Sequence, residues 1–122
     1  MEIAVFQGVY AVGLLDHIPQ HLPKTGFCSI SVGEDEVSLV CREESMPEYS
    51  SHIQRGYRLF RIQGTLDFSL IGVIAKISAV LAKEKIPLFC VSTYRTDYFL
   101  VEEIYLQRAL AALQNAGYRI MK

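Results

Sequence analysis

The sequence contains no tryptophan and no excess of either charge. Twelve Lys and Arg residues stand against 13 Asp and Glu, the formal net charge is -1, and the basic residues are scattered along the chain. A protein that holds nucleic acid by general electrostatics needs a clustered basic surface. The composition therefore predicts no nucleic-acid partner.

Cysteine is scarce, and the three cysteines do not form a recognisable disulfide or metal-binding motif. Cys28, Cys41 and Cys90 are widely spaced, without a CxxC pair and without a Cys/His cluster at zinc-ligand spacing. Each lies in an apolar run, the usual context of a buried and reduced thiol. Reduced thiols predict a reducing compartment.

Long hydrophobic runs are also missing. The longest apolar stretch, residues 70–82, is interrupted by Lys76 and is too short to span a bilayer. Glu2 stands where a signal peptide would carry a basic residue. We therefore expect a cytoplasmic protein without a membrane segment.

Catalytic patterns are absent as well. His17, His21 and His52 do not stand beside a Cys or Ser in a recognisable arrangement. His17 and His21 are four residues apart, but Pro19 between them prevents a regular helix from presenting both to a metal. Neither GxGxxG nor a phosphate-binding loop occurs. We expect no enzyme activity, no metal and no cofactor.

The second half of the chain is strongly patterned. Residues 57–63 alternate as a strand, and apolar residues at helical spacing predict a helix over 70–85. A buried strand over 86–94, a returning strand to 102, a helix over 103–115 and a last strand at 118–121 follow. The order β-α-β-β-α-β is that of a ferredoxin-like α+β unit.

The first half has the same plan with less helix. Residues 2–15 predict two short strands joined at Gln7-Gly8, and residues 26–41 predict a hairpin turning at residues 33–35. Pro47 and Gly56 bracket a short predicted helix. We therefore predict two ferredoxin-like units in tandem, a degenerate one over 1–56 and a full one over 57–122, and leave open which strand completes the first sheet.

Two motifs in the second half carry a family resemblance. LDFSL followed by Ile71-Gly72 at the helix start, and STYRTDYFLV across the second hairpin, resemble the ACT domain family. Within that family the chain resembles the short tandem-ACT proteins related to cytosolic arginine sensors. The likeness is strongest over residues 57–113. It implies a regulatory fold that binds amino acids at the junctions between paired domains.

An amino-acid ligand needs donors for its carboxylate, an acceptor for its ammonium group and a pocket for its side chain. The helix start offers backbone N–H groups, and Gly72 permits close approach. Asp67 and Asp97 are the nearby acceptors. The predicted ligand-binding residues are Asp67, Phe68, Ser69, Leu70, Ile71, Gly72, Ser92, Thr93, Tyr94, Thr96 and Asp97.

The same residues have structural alternatives. Asp67 or Ser69 can serve only to cap the helix, and Thr96 with Asp97 can serve only to build the hairpin turn. Ile71 stands where the family pattern has a small polar residue, which motivates a second hypothesis of an interaction or dimerisation module with a vestigial site. Apolar residues on both faces of the second sheet predict a homodimer, or at least a close pairing of the two units. The sequence does not identify the protein partner that such a module would regulate.

Overall fold

The computed structural model describes residues 1–63 and 71–121 of the chain. These residues form two compact units, one of Gly8–Tyr57 and one of Met1–Gln7 with Arg58–Lys122. The strands are β1 Glu2–Val5, β2 Tyr10–Leu15, β3 Ser29–Val32, β4 Val37–Arg42, β5 Ser50–Ile62, β6 Phe89–Ser92, β7 Asp97–Glu102 and β8 Arg119–Ile120. The α-helices are α1 Val73–Lys83 and α2 Leu106–Asn115, and 3-10 turns occupy Glu43–Ser45 and Glu103–Tyr105.

The unit Gly8–Tyr57 is an antiparallel sheet in the order β3-β4-β2-β5. The predicted hairpin is present, with Val32 opposite Val37 at its closed end. A small core of Leu15, Leu39 and Cys41 is buried in this unit, and Tyr49 packs at its edge.

The prediction of a short helix between Pro47 and Gly56 is wrong. A 3-10 turn ends at Ser45, and from Ser50 the chain is extended and pairs with β2, with Ser50 opposite Leu15. Gly56 has φ +81° beside a register shift in this pairing, so it marks a bulge instead of a helix end. Cross-strand pairing outweighs a weak local helix signal here. The first half of β5 is the strand that completes this sheet.

The other unit carries both helices. Its sheet runs β8-β1-β5-β7-β6, with the second half of β5 in the centre. Strand β1 is antiparallel to β5, with Val5 opposite Phe60, and parallel to β8, with Ile3 opposite Ile120. From β5 to β8 the element order is β-α-β-β-α-β, as the sequence predicts. Strand β1 is an additional strand that lies between the first and last strands of that set.

The helices bury one stripe each against this sheet. Helix α1 places Ile77 and Leu81 in the core, and Phe60 stacks on Phe99 beneath them with ring centroids 5.4 Å apart. It starts at Val73, three residues later than predicted, and Leu70 of the predicted stripe lies outside the described residues. The turn Glu103–Tyr105 is 3-10, so α2 also starts later than predicted. None of the described helices is long and apolar enough to cross a membrane.

Candidate functional site

The predicted ligand-binding residues fall into two groups in the fold. Ile71 and Gly72 precede α1, whereas Ser92, Thr93, Tyr94, Thr96 and Asp97 form the end of the β6–β7 hairpin. Asp67, Phe68, Ser69 and Leu70 lie in the segment 64–70, outside the described residues.

The start of α1 has no side chain at its cap position. Gly72 is the N-cap, with φ 82° and ψ 15°, and its carbonyl oxygen accepts the first helical hydrogen bond from the Lys76 N–H at 2.9 Å. The left-handed backbone at this position suits glycine. The first-turn N–H groups of a helix have no intrahelical acceptor and carry the positive end of the helix dipole. Such a start favours a carboxylate. Ile71 just before it is 91% exposed.

The hairpin turn is held by threonine hydroxyls. The Thr93 N–H and hydroxyl both donate to the Thr96 carbonyl oxygen, at 2.9 and 3.0 Å. Thr96 is itself buried, and its hydroxyl donates to the Ile62 carbonyl oxygen at 3.1 Å. Because Ile62 ends β5, these bonds place the tip of the hairpin beside the point where the chain leaves β5 for α1. Tyr94 at the tip is 80% exposed.

Ser92 and Asp97 form a polar pair one residue outside this turn. They are opposite each other in the β6–β7 register, and the Ser92 hydroxyl donates to Asp97 Oδ1 at 2.7 Å. Phe99 lies in the core under the helices. Because side chains alternate along a strand, Asp97 faces the same helix-covered side. The pair therefore offers an oriented carboxylate on the side of the sheet that carries α1.

Cys90 is a neighbour of this pair that the sequence analysis assigned only to the core. It packs against the buried cluster and is half-buried. Burial raises the pKa of its thiol, the negative charge of Asp97 raises it further, and a hydrogen bond with Ser92 lowers it. The spacing of Cys90 and Ser92, two residues apart on one strand, is the signal that places them on one face.

Arg61 is a second residue absent from the predicted site. Its guanidinium carbon lies 5.6 Å from the centre of the Phe6 ring and 5.9 Å from that of Tyr98, and Nη1 donates to the Tyr98 hydroxyl at 3.3 Å. Alternation from Phe60 puts Arg61 on the opposite side of the sheet from Asp97. It therefore belongs to a separate cation–aromatic cluster.

The thiols of the chain do not have the environment of nucleophiles. Burial raises the pKa of Cys28, and burial with the charges of Cys28 and Glu44 raises the pKa of Cys41 to about 11. Raised values keep a thiol protonated near neutral pH, and the thiolate is the reactive form. Among the described residues, no three His, Cys, Asp or Glu side chains converge on one point.

The comparison with known families decides the assignment. The sequence profile of the ACT domain matches residues 52–115, just over half of the chain. The chain belongs to the ACT domain family. The predicted family and its mixed α+β, ferredoxin-like fold are thereby confirmed. The profile of an N-terminal domain matches residues 8–49.

Solved structures share the ACT-type fold over nearly the whole chain. A protein from Agrobacterium tumefaciens is 28% identical, with a TM-score of 0.88 and coverage of 98% of this chain and 91% of that one. A protein from Vibrio cholerae is 19% identical, with a TM-score of 0.73 and coverage of 93% and 88%. The ligand-free regulatory subunit of aspartate kinase from Thermus thermophilus is 12% identical, with a TM-score of 0.67 and coverage of 96% and 97%. At these last two identities the likeness concerns the fold alone.

Proposed function

We propose that this ACT protein is a regulatory module that binds an amino acid and has no catalytic activity of its own. The observation that carries the proposal is the Ser92–Asp97 pair, an oriented carboxylate on the helix-covered side of the sheet. A glycine-capped helix start is the expected counterpart for a carboxylate. Amino acids carry both complementary charges on one small molecule.

In this proposal the two charged ends of the ligand are bound by different elements. The ligand carboxylate accepts from N–H groups in the first turn of α1, next to Gly72. The ligand ammonium group donates to Asp97, which Ser92 orients. Thr93, Tyr94 and Thr96 shape the hairpin beside it, and the ligand side chain contacts residues of the stretch Asp67, Phe68, Ser69, Leu70 and Ile71.

We further propose that the predicted first unit, residues 1–56, is a degenerate second ACT unit whose sheet lies within Gly8–Tyr57, so that the chain is a tandem related to the cytosolic arginine sensors. The strands β2, β3, β4 and β5 lie in the spatial order 4-1-3-2, the order of a ferredoxin-like sheet. A loop and the 3-10 turn Glu43–Ser45 stand where that fold has its helices. The proposed division of the chain near residues 56 and 57 falls inside β5.

A second candidate function is an interaction or dimerisation module whose ligand site is vestigial. One observation favours it: Ile71, directly before the glycine cap, is 91% exposed and offers no polar atom beyond its backbone. Under either function we propose a homodimer. We also propose that the protein is cytoplasmic, since its three free thiols suit a reducing compartment. The protein that would respond to the bound ligand is a further partner of unspecified identity.

Isothermal titration with each of the twenty amino acids, on the wild type and two variants, tests the proposal. Asp97→Ala removes the proposed acceptor, and we expect at least a roughly tenfold loss of affinity because a charged hydrogen bond contributes about 1.5–3 kcal/mol. Glu36→Ala is the matched control: its carboxylate accepts from the Ser38 hydroxyl at 2.8 Å in the other hairpin. It should bind as the wild type does.

The two candidate functions give different results in this experiment. A binding module loses affinity in Asp97→Ala while keeping its folded circular dichroism spectrum. If no amino acid binds the wild type below about millimolar concentration, a level that corresponds to only about 4 kcal/mol, the sensing function fails and the interaction module replaces it.

A further inference from the structure

Two of the three cysteines are neighbours within the unit Gly8–Tyr57. Cys41, near the end of β4, is fully buried in the small core that also contains Leu39. Cys28, directly before β3, packs against that core and is half-buried. The charge of Cys28 is one of the causes that raise the pKa of Cys41, as expected of neighbouring thiols. Both thiols are free in this structure.

The pairing of β3 with β4 sets these two cysteines opposite each other. Ser29 and Val40 are the pair at the open end of the hairpin, and one further step along both strands leads to Cys28 and Cys41. Ile30, two residues after Cys28, packs against the same core. Because side chains alternate along a strand, both thiols lie on the face of the hairpin that carries this core.

The hydrogen-bond pattern of the hairpin gives the spacing of the pair. At the closed end, the Gly33 N–H donates to the Glu36 carbonyl oxygen at 2.8 Å. Hydrogen-bonded and non-hydrogen-bonded pairs alternate along an antiparallel ladder, and counting from this turn puts Cys28 and Cys41 at a non-hydrogen-bonded position. The Cα atoms of such a pair are about 4.5 Å apart, within the range of about 4.4–6.8 Å that a disulfide spans.

The backbone just before Cys28 is held against a buried side chain. The hydroxyl of Tyr10, a residue that is 1% exposed, accepts from the Phe27 N–H at 3.1 Å. Gly26 has φ +76°, and a Cβ atom at this position would lie 2.7 Å from the same hydroxyl oxygen. The loop from β2 is thus fastened to the sheet where it reaches Cys28. This contact keeps the Cys28 thiol beside β4.

We propose that Cys28 and Cys41 form a reversible intramolecular disulfide by exchange with a small-molecule disulfide such as oxidised glutathione. The Cys28 thiolate attacks one sulfur of the oxidant, the S–S bond of the oxidant breaks, and the leaving thiolate takes up the proton that Cys28 lost. The Cys41 thiolate then attacks the Cys28 sulfur and breaks the mixed disulfide. The second leaving thiolate takes up the Cys41 proton. Two protein thiols are oxidised, and one oxidant disulfide is reduced to two thiols.

Burial sets the rate and the order of these steps. It raises the pKa of both thiols, and the thiolate is the attacking form, so the reaction is slow near neutral pH. Cys28 is the more exposed of the two and therefore reacts first with the oxidant. A site of this kind responds to sustained oxidation. In a reducing compartment, disulfides are typically transient and redox-sensing.

The bond would fasten an edge of the sheet. Among the described strands, β3 pairs with β4 alone, and the disulfide would join the two at the open end of their hairpin. A bond that closes a loop stabilises the folded protein chiefly by constraining the unfolded chain. The oxidised form should therefore be more stable than the reduced form, and its edge strand should separate less readily from β4.

Peptide mapping after oxidation tests the proposal, because trypsin leaves both cysteines in one peptide. No Lys or Arg lies between Lys24 and Arg42, so residues 25–42 form a single tryptic peptide, and Cys90 lies in another. The native protein is incubated with oxidised glutathione, free thiols are alkylated with iodoacetamide in urea, and the digest is analysed by mass spectrometry. We expect the peptide 25–42 to lose two hydrogen atoms and to carry no alkyl group, whereas Cys90 is alkylated.

Thermal melts of two variants give a second measurement. Oxidation should raise the Tm of the wild type and of the matched control Cys90→Ser by on the order of 5 °C, and should not raise that of Cys28→Ser. A peptide 25–42 that is alkylated at both cysteines, or that keeps glutathione on Cys28, overturns the proposal. A disulfide to Cys90 overturns it as well. None of these results depends on whether an amino acid binds, because no amino acid is added.

Discussion

At the residue scale, Thr96 is a buried polar side chain that fixes the predicted site to the sheet. Its hydroxyl donates to the Ile62 carbonyl oxygen at 3.1 Å, and its carbonyl oxygen accepts twice from Thr93. Removing the hydroxyl leaves a carbonyl oxygen of β5 without this partner. The tip of the hairpin would then be less firmly held beside the end of β5.

We predict that Thr96→Val lowers the free energy of unfolding by about 1–2 kcal/mol, because the side-chain shape is kept while a buried acceptor loses its hydrogen bond. Urea denaturation measures the change. Thr25→Val, at an exposed threonine, should stay within about 0.5 kcal/mol of the wild type. Equal effects of the two substitutions would contradict the role of the Ile62 contact.

The thiol of Cys41 gives a prediction for alkaline pH. Its pKa is raised from 9.0 to about 11, chiefly by burial, and the side chain is fully buried. The folded protein thus holds a proton that the unfolded chain releases above pH 9. This contribution to stability is complete below pH 9 and is lost as the pH rises to about 11.

We therefore expect the urea midpoint of the wild type to fall between pH 9 and 11 more steeply than that of Cys41→Ala, which lacks the titrating group. Comparison of the two slopes separates Cys41 from the other groups that titrate there. In addition, iodoacetamide should label Cys41 slowly in the native protein at pH 8 and rapidly in urea. Parallel slopes would show that the thiol is not the group responsible.

At the element scale, α1 was predictable because its signal is local. Apolar residues at helical spacing over residues 70–85 predicted one buried stripe, and Ile77 and Leu81 of that stripe are fully buried. The helix start was less predictable, because its cap is a glycine in a left-handed conformation and supplies no side-chain signal.

We predict that Leu81→Ala destabilises the protein by about 2–5 kcal/mol, since it leaves a cavity between α1 and the sheet. Ile74→Ala on the same helix should lower the free energy of unfolding much less, because Ile74 is 39% exposed. Thermal or urea unfolding of both variants gives the comparison. Similar losses in the two variants would mean that the buried stripe is assigned to the wrong face.

Pairing between strands far apart in the chain was the part of the fold that the sequence could not supply. The 13-residue strand β5 was predicted as a weak helix followed by a strand, because its partners in β2 and β1 lie 35 to 59 positions away. The hydrogen bond from Thr96 to Ile62 also spans 34 positions. Local patterns report periodicity, whereas pairing depends on contacts between distant segments.

At the scale of the whole molecule, the predicted homodimer depends on apolar surface that one chain leaves uncovered. Leu59 and Leu100 alternate with core residues and so face away from the helices, yet both are fully buried in the single chain. The exposed edge strand β6 is different: it pairs with β7 alone among the described strands, and its Phe89 is 38% exposed. An uncharged edge of this kind favours pairing with another chain.

Sedimentation velocity at micromolar concentration tests this prediction. We expect a dimer, and we expect Phe89→Lys, which places a charge on the edge strand β6, to shift the equilibrium towards monomer. Val32→Lys places the same charge on the edge strand β3 and is the matched control, which should sediment as the wild type does. A 13.8 kDa monomer throughout the concentration range would contradict the homodimer.

The central claim is that an amino acid binds between the start of α1 and the Ser92–Asp97 pair, and amide NMR tests it most directly. Spectra of the ¹⁵N-labelled protein are recorded while each amino acid is titrated in. The account predicts that one or a few of them shift the amide signals of Gly72 to Ala75 and of Ser92 to Asp97, with little change in the hairpin of β3 and β4. Shifts confined to other parts of the chain, or no shifts with any of the twenty, would contradict it.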